Sequence, residues 1–233
     1  MNKEPLKKIS LFFILFVGMS LFSYIPLTIF NIDLTKLSDN LKIAYQLSCD
    51  IGFMLIVYMI YMPSINKDFK SYFKDFDNSL KKSLKYYIIG YFIMIISNII
   101  ISLFFKQANP ANEELVRALI DKYPLYMFFS VAIYAPFIEE IIFRKCIYDI
   151  VYSFKKNKYT KYIYIISSGF IFSAMHVINV SENLIDLIYI IPYLGLGCAF
   201  AALYDKTKNI FSTITMHSIH NTIAILTYFK GGA

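Results

Sequence analysis

Six side chains in the second half of this sequence have the types and spacing that acid–base chemistry uses. The stretch "APFIEEIIFRK", residues 135–145, sets Glu139, Glu140 and Arg144 in an otherwise apolar run. "FSAMH" (172–176) ends on His176, and "HSIHN" (217–221) carries His217 and Asn221. On a helix, Glu140 and Arg144 stand at i and i+4 with the acid on the N-terminal side, the favoured order for a helical ion pair. Glu139 then points about 100° away around the axis and lacks that partner. A carboxyl in apolar surroundings with no cation beside it has the character of a general base. Phe172 and His176 share one helix face, and so do His217 and Asn221. Each group taken alone is equally explained as a buried polar contact between helices.

The elements that must position these groups read as membrane helices. The 233 residues are 58% hydrophobic and 18% aromatic, with a mean hydropathy of +0.54; soluble domains are about 45–50% apolar. Charges gather in short clusters that leave long uncharged runs. The expected fold is an all-α membrane protein, a bundle of about seven transmembrane helices over 9–30, 43–62, 84–105, 124–154, 161–179, 184–204 and 209–229, since each lone segment in lipid must satisfy its own backbone. The apolar run from Ile9 to Phe30 is too long for a signal peptide and reads as the first span. The net charge of +7 lies in loops and not on one face, so no nucleic-acid partner is expected; the partners are the lipid bilayer and a substrate. Cys49, Cys146 and Cys198 show no metal or redox spacing and read as free thiols.

Loop charge gives an orientation. With the N-terminus cytoplasmic, the inner segments hold seventeen Lys and Arg and the outer ones six, so the C-terminus is expected outside. "NPANEELVRALIDKYP" (109–124) reads as a short helix on the outer surface, opened by Asn-Pro with two glutamates in its first turn.

Depth brings Glu139, His176, His217 and Asn221 together. The turn "KKNKYTK" (155–161) makes spans four and five antiparallel, and Glu139 lies 19 residues before Lys158 while His176 lies 18 after it. Helices of equal pitch then place both at one level. Asn221, 13 residues beyond Lys208, reaches about the same height, with His217 one turn lower. Pro136 removes an amide from the fourth span three residues before Glu139 and can kink it there.

The ordered set Glu-Glu-x-x-x-Arg, Phe-x-x-x-His and His-x-x-x-Asn on separate helices resembles the CAAX-protease and bacteriocin-processing (Abi) family, intramembrane proteases that include the prenyl-protein endopeptidase. The resemblance covers residues 139–221. It implies one membrane domain over 1–233, with N-terminal helices and a surface loop in 1–123 and the catalytic helices in 124–229. It implies that Glu139 and His176 activate a water that attacks a peptide carbonyl. His217 and Asn221 would steady that water or the oxyanion, with Glu140 and Arg144 as a supporting pair. The substrate is then a protein or peptide at the membrane. The family is often labelled a metalloprotease, and Glu139, His176 and His217 are the donors a zinc would take. No HExxH pair is present, and a metal-free water, with no cofactor, is the favoured reading. Rival readings are a non-catalytic immunity or scaffold protein of the same family and a proton-coupled transporter; the latter lacks visible paired repeats. Outside the set, His220 reads as a packed histidine and Asp50 as a buried acid whose donor the sequence does not name. "PYLGLGCAF" (192–200) reads as a place of close helix packing.

Overall fold

A computed structural model of the chain describes residues 3–105, 110–154, 156–181 and 184–231. Asn109, which was expected to open the surface helix, and the loop cations Lys106 and Lys155 lie outside the described residues. Among the described residues all regular structure is helical.

The first expected span is two helices, α1 (Glu4–Leu21) and α2 (Tyr24–Ile29). The Tyr45 hydroxyl donates to the Ser23 carbonyl at the break between them. Ser38 caps the next helix, α3 (Asp39–Lys74), its hydroxyl accepting from the Leu41 amide. At 36 residues α3 is about 54 Å long, far beyond a hydrocarbon core of about 30 Å. Only Asp75 separates it from α4 (Phe76–Phe104). The basic stretch between the second and third spans was expected to be a loop and is helix instead. Lys67, Lys70 and Lys74 ride on α3, and Lys81, Lys82 and Lys85 on α4. Charge marks where a helix leaves the oil, not where it ends, and lysine is a good helix former. Pro63 sits inside α3 without terminating it.

The expected surface helix is α5 (Ala111–Lys122), started by Pro110 and carrying a Glu113–Arg117 ion pair at 2.5 Å. The helical run α6 (Pro124–Val151) follows, then α7 (Thr160–Ile178). A 3₁₀ segment, Leu184–Tyr189, leads into α8 (Ile190–Thr207), and the last helix is α9 (Ile210–Gly231). Among the described residues five runs are long and apolar enough to cross a membrane: α3, α4, α6, α7 and Leu184–Thr207. The expected spans 9–30 and 209–229 fall short of that measure. The first is broken after Leu21 and begins with Glu4, Lys7 and Lys8, and the last is diluted by Ser, Thr, His and Asn. The outward faces of the long helices carry large apolar side chains such as Phe92, Ile96, Ile163 and Phe170. A monomer in water does not leave that much contiguous apolar surface bare. The chain is a multi-pass membrane protein.

Helix α8 packs most extensively, against α7 on one side and α4 on the other. Glycines make this approach feasible. A Cβ on Gly169 would lie 2.5 Å from Cys198 Sγ and 2.9 Å from its amide nitrogen, and one on Gly90 would lie 2.5 Å from Ala199 Cβ. The three basic junctions meet at one end of the bundle. Asp68 Oδ2 accepts from the Ile210 amide at 3.0 Å, and Asn209 Nδ2 donates to the Asp68 carbonyl at 2.8 Å. The Tyr152 hydroxyl donates to Asp205 Oδ1 at 2.8 Å.

Candidate active site

The site is built from α6, α7 and α9, and its first determinant is an irregular α6. Two π-helical turns, Ser130–Tyr134 and Ile141–Cys146, flank the six-residue α-helical piece that carries Glu139 and Glu140. Such turns recur at functional positions because they release backbone groups from the helical ladder. At the first turn the Ala135 amide donates back to the Ser130 carbonyl, five residues away. The next residue, Pro136, has no amide to give. The Val131 carbonyl therefore loses both donors that would ordinarily reach it, and Asn221 Nδ2 of α9 donates to it instead at 2.7 Å. Pro136 acts here by withholding an amide inside a widened turn.

Glu140 and Arg144 are fully buried. Arg144 donates to both carboxylate oxygens of Glu140, from Nε to Oε2 at 2.9 Å and from Nη2 to Oε1 at 3.3 Å. Its Nη1 donates to Ser168 Oγ at 3.1 Å, and that hydroxyl donates on to the Phe143 carbonyl at 2.7 Å. The guanidinium lies 4.6 Å from the Phe172 ring centre and 5.9 Å from that of Phe200. Full burial is tolerable because the charge is paired, its donors are used and aromatic faces cover it.

His217 joins the two acids. Its Nδ1 lies 2.9 Å from Glu140 Oε1, and its Nε2 lies 3.9 Å from Glu139 Oε2. His176 comes to the same oxygen, with Nε2 at 3.7 Å. Its Nδ1 lies 2.9 Å from the Phe172 carbonyl. A carbonyl and a carboxylate only accept, so the Nδ1 of each imidazole carries a proton. In the neutral rings both Nε2 atoms are then acceptors facing a third acceptor. Glu139 Oε2 is buried and has no hydrogen-bond partner among the described residues. A small cleft lined by Pro110, Asn112, His176, Val177, Asp186 and Tyr189 opens at the His176 side.

The structure thus brings five of the six expected residues into one cluster: Glu139, Glu140, Arg144, His176 and His217. Asn221 stands one turn from His217 on α9, with its amide nitrogen committed to Val131. The donor types are those a zinc takes, but among the described residues no group of three or more His, Cys, Asp or Glu is arranged to hold a metal ion. Both imidazole Nε2 atoms approach the same Glu139 oxygen, at 3.7 and 3.9 Å. His220 faces away, its Nδ1 3.4 Å from the Tyr87 hydroxyl. Asp50 finds its donors in Gln46 Nε2 and the Tyr126 hydroxyl, each at 2.9 Å. Ser168, Phe200 and Tyr193 escaped the sequence reading. Gln46, at i−4 from Asp50, is the one missed partner whose spacing could have been noticed.

A model of the family described as "Type II CAAX prenyl endopeptidase Rce1-like" matches residues 121–223, the stretch that supplies every side chain of the cluster. The chain is 30% identical over 196 residues to "Putative membrane peptidase YdiL" of Bacillus subtilis (strain 168), covering 81% of this chain and 74% of that protein. It belongs to the CAAX-protease and bacteriocin-processing family. It is also 27% identical over 159 residues to "Membrane-embedded CAAX protease MroQ" of Staphylococcus aureus (strain USA300), covering 63% of this chain and 60% of that one. No solved structure matches the chain. The matched stretch covers most of the α6–α9 half, which carries the buried Glu139, Glu140, Arg144 and His217.

Proposed function

We propose that this family member is an intramembrane endopeptidase in which Glu139 is the general base, acting on a water held between it and the Nε2 atoms of His176 and His217. The observation that carries the reading is the convergence of three acceptors on one buried point. Such a point suits a water, which can donate two hydrogens at once while its lone pair is aimed at a carbonyl. Glu139 takes the proton as the water oxygen attacks the peptide carbon, and passes it to the departing amine. His176 and His217 orient the water before attack. When one imidazole takes on Nε2 the hydrogen left on the attacking oxygen, it becomes a donor to the developing oxyanion, where low dielectric makes such a donor effective, and it gives that proton up to the departing amine. Glu140 holds the His217 tautomer through Nδ1, and Arg144 holds Glu140. The cleft at His176 is the side from which a peptide strand reaches the water. Substrates of this chemistry are a prenylated C-terminus, a bacteriocin or signal-peptide precursor, or a membrane-protein tail.

Protein purified in detergent should cleave an internally quenched farnesylated peptide with a CAAX terminus, and Glu139→Gln and His176→Ala should each abolish cleavage while the unfolding temperature stays near that of the parent. If that peptide is not a substrate, comparing the proteomes of membranes carrying the parent and Glu139→Ala should reveal a product missing from the latter. Unchanged cleavage in both variants would rule out the assignment. The same preparation settles the metal: activity should survive chelation, with no stoichiometric metal by elemental analysis.

A further inference from the structure

We propose that Tyr193 is a positioning residue that holds the His176 imidazole with Nε2 turned to Glu139, and that Asn112 of the surface helix α5 holds Tyr193 in turn. The inference rests on the reading of His176 as a water-orienting group. Two rings lie against the imidazole. Phe172 stands at 4.3 Å between centres, tilted 41°, and Tyr193 of α8 stacks on it at 5.2 Å and 29°. Phe172 is already engaged under the Arg144 guanidinium. The Nδ1 contact ties His176 only to its own helix, four residues back. Rotation of the ring about its Cβ–Cγ bond is therefore limited on the α8 side by the flat face of Tyr193. The ionisable groups around the imidazole are Glu139, Glu140 and Arg144 from α6, His217 from α9, and Asp186 across the cleft.

The link continues outward. Asn112 Nδ2 donates to the Tyr193 hydroxyl at 3.4 Å, a contact at the long end for a hydrogen bond. The far end of α5 is held independently. The Tyr228 hydroxyl donates to Asp121, Arg117 lies 5.3 Å from the Tyr228 ring centre, and Lys122 Nζ is 3.8 Å from Asp39 Oδ2. Asn112, Tyr193 and His176 thus form a line from the surface helix to the reacting imidazole, and both Asn112 and His176 line the cleft.

The chain has three histidines, so the protein labelled with ¹⁵N-histidine gives three imidazoles that single substitutions can assign. In the parent, His176 should show the Nδ1-protonated signature. Tyr193→Leu should replace it with a mixture of tautomers and lower kcat on the quenched farnesyl peptide about tenfold or more, with KM within about twofold, because a displaced group loses rate and not uniform binding. Tyr193→Phe, which keeps the flat face, should retain the signature and a rate within about threefold. Asn112→Ala should lower kcat by about two- to threefold, as Tyr193→Phe does, and the two together no more than either because both remove the same contact; a parent rate in both would remove Asn112 from the line. If Tyr193→Leu does not fold, Tyr193→Met fills the volume without the face and takes its place. A parent-like His176 spectrum in the face-deleting variant overturns the inference, even where its rate falls, since the loss would then be one of packing. His176→Ala is measured alongside. Cleavage by that variant defeats the reading of the site itself, whereas an inactive His176→Ala beside an unaffected Tyr193→Leu defeats only the positioning role.

Discussion

Arg144 shows what burial demands of a single residue. Its guanidinium is fully enclosed, and its bonds run to both oxygens of Glu140 and to Ser168. Truncating it leaves the Glu140 carboxylate in the core with His217 as its remaining partner. Arg144→Ala should therefore lower stability by about 3–5 kcal/mol, read as a fall in unfolding temperature in detergent, and reduce cleavage with it. Arg144→Lys should recover only part, because an ammonium cannot make the two-pronged contact. A parent-like unfolding temperature in the alanine variant would show that the pair does not stabilise the fold. The Glu140–Arg144 contact was legible from four-residue spacing alone. Its partners Ser168 and His217 come from other helices, and a serine in an apolar run gives no sign of which helix it will meet. Tyr193 was missed for the same reason, since one tyrosine among twenty carries no mark of the imidazole it stacks on.

At the scale of the element, α6 is held to α9 through a backbone carbonyl that its own helix cannot satisfy. Asn221→Ala should strand the Val131 carbonyl and cost about 1–3 kcal/mol, apart from any effect on chemistry. Pro136→Ala restores an amide in register with Val131, so the double variant should lose less stability than the sum of the singles. Additive losses in unfolding free energy would refute the shared carbonyl. The sequence reading placed Asn221 near the reacting groups and Pro136 at a helix irregularity. It could not join them, because a π-helical turn depends on which amide takes which carbonyl, and composition does not record that. Lengths were misjudged for a related reason. The lysines of 67–85 were legible as polar, yet polarity says nothing about whether the backbone stops winding. The glycines of α8 were legible as close packing, though not what they touch, and Gly169 of α7 was not singled out.

The whole molecule gathers its basic junctions at one end, where Asp68, Asn209 and Asp205 tie α3, α6, α8 and α9 together. With seventeen basic residues assigned to one side and six to the other, we propose that this end is cytoplasmic. Single cysteines introduced at Lys74 and Lys158 should react with an impermeant maleimide only in inverted vesicles, and one at Lys122 only in intact cells; the opposite pattern would reverse the proposed orientation. The Asp68 contact also bears on where the chemistry takes place. The first amide of α9 hangs from the lysine-bearing end of α3, and His217 lies seven residues along, about 10 Å from that hook. With that end in the aqueous phase, as proposed, the water of the proposed reaction is levelled from a fixed bench mark, so a thicker or thinner bilayer should be absorbed by tilt and by the lipid itself, and the height of the scissile bond above that surface should stay constant from one membrane to another.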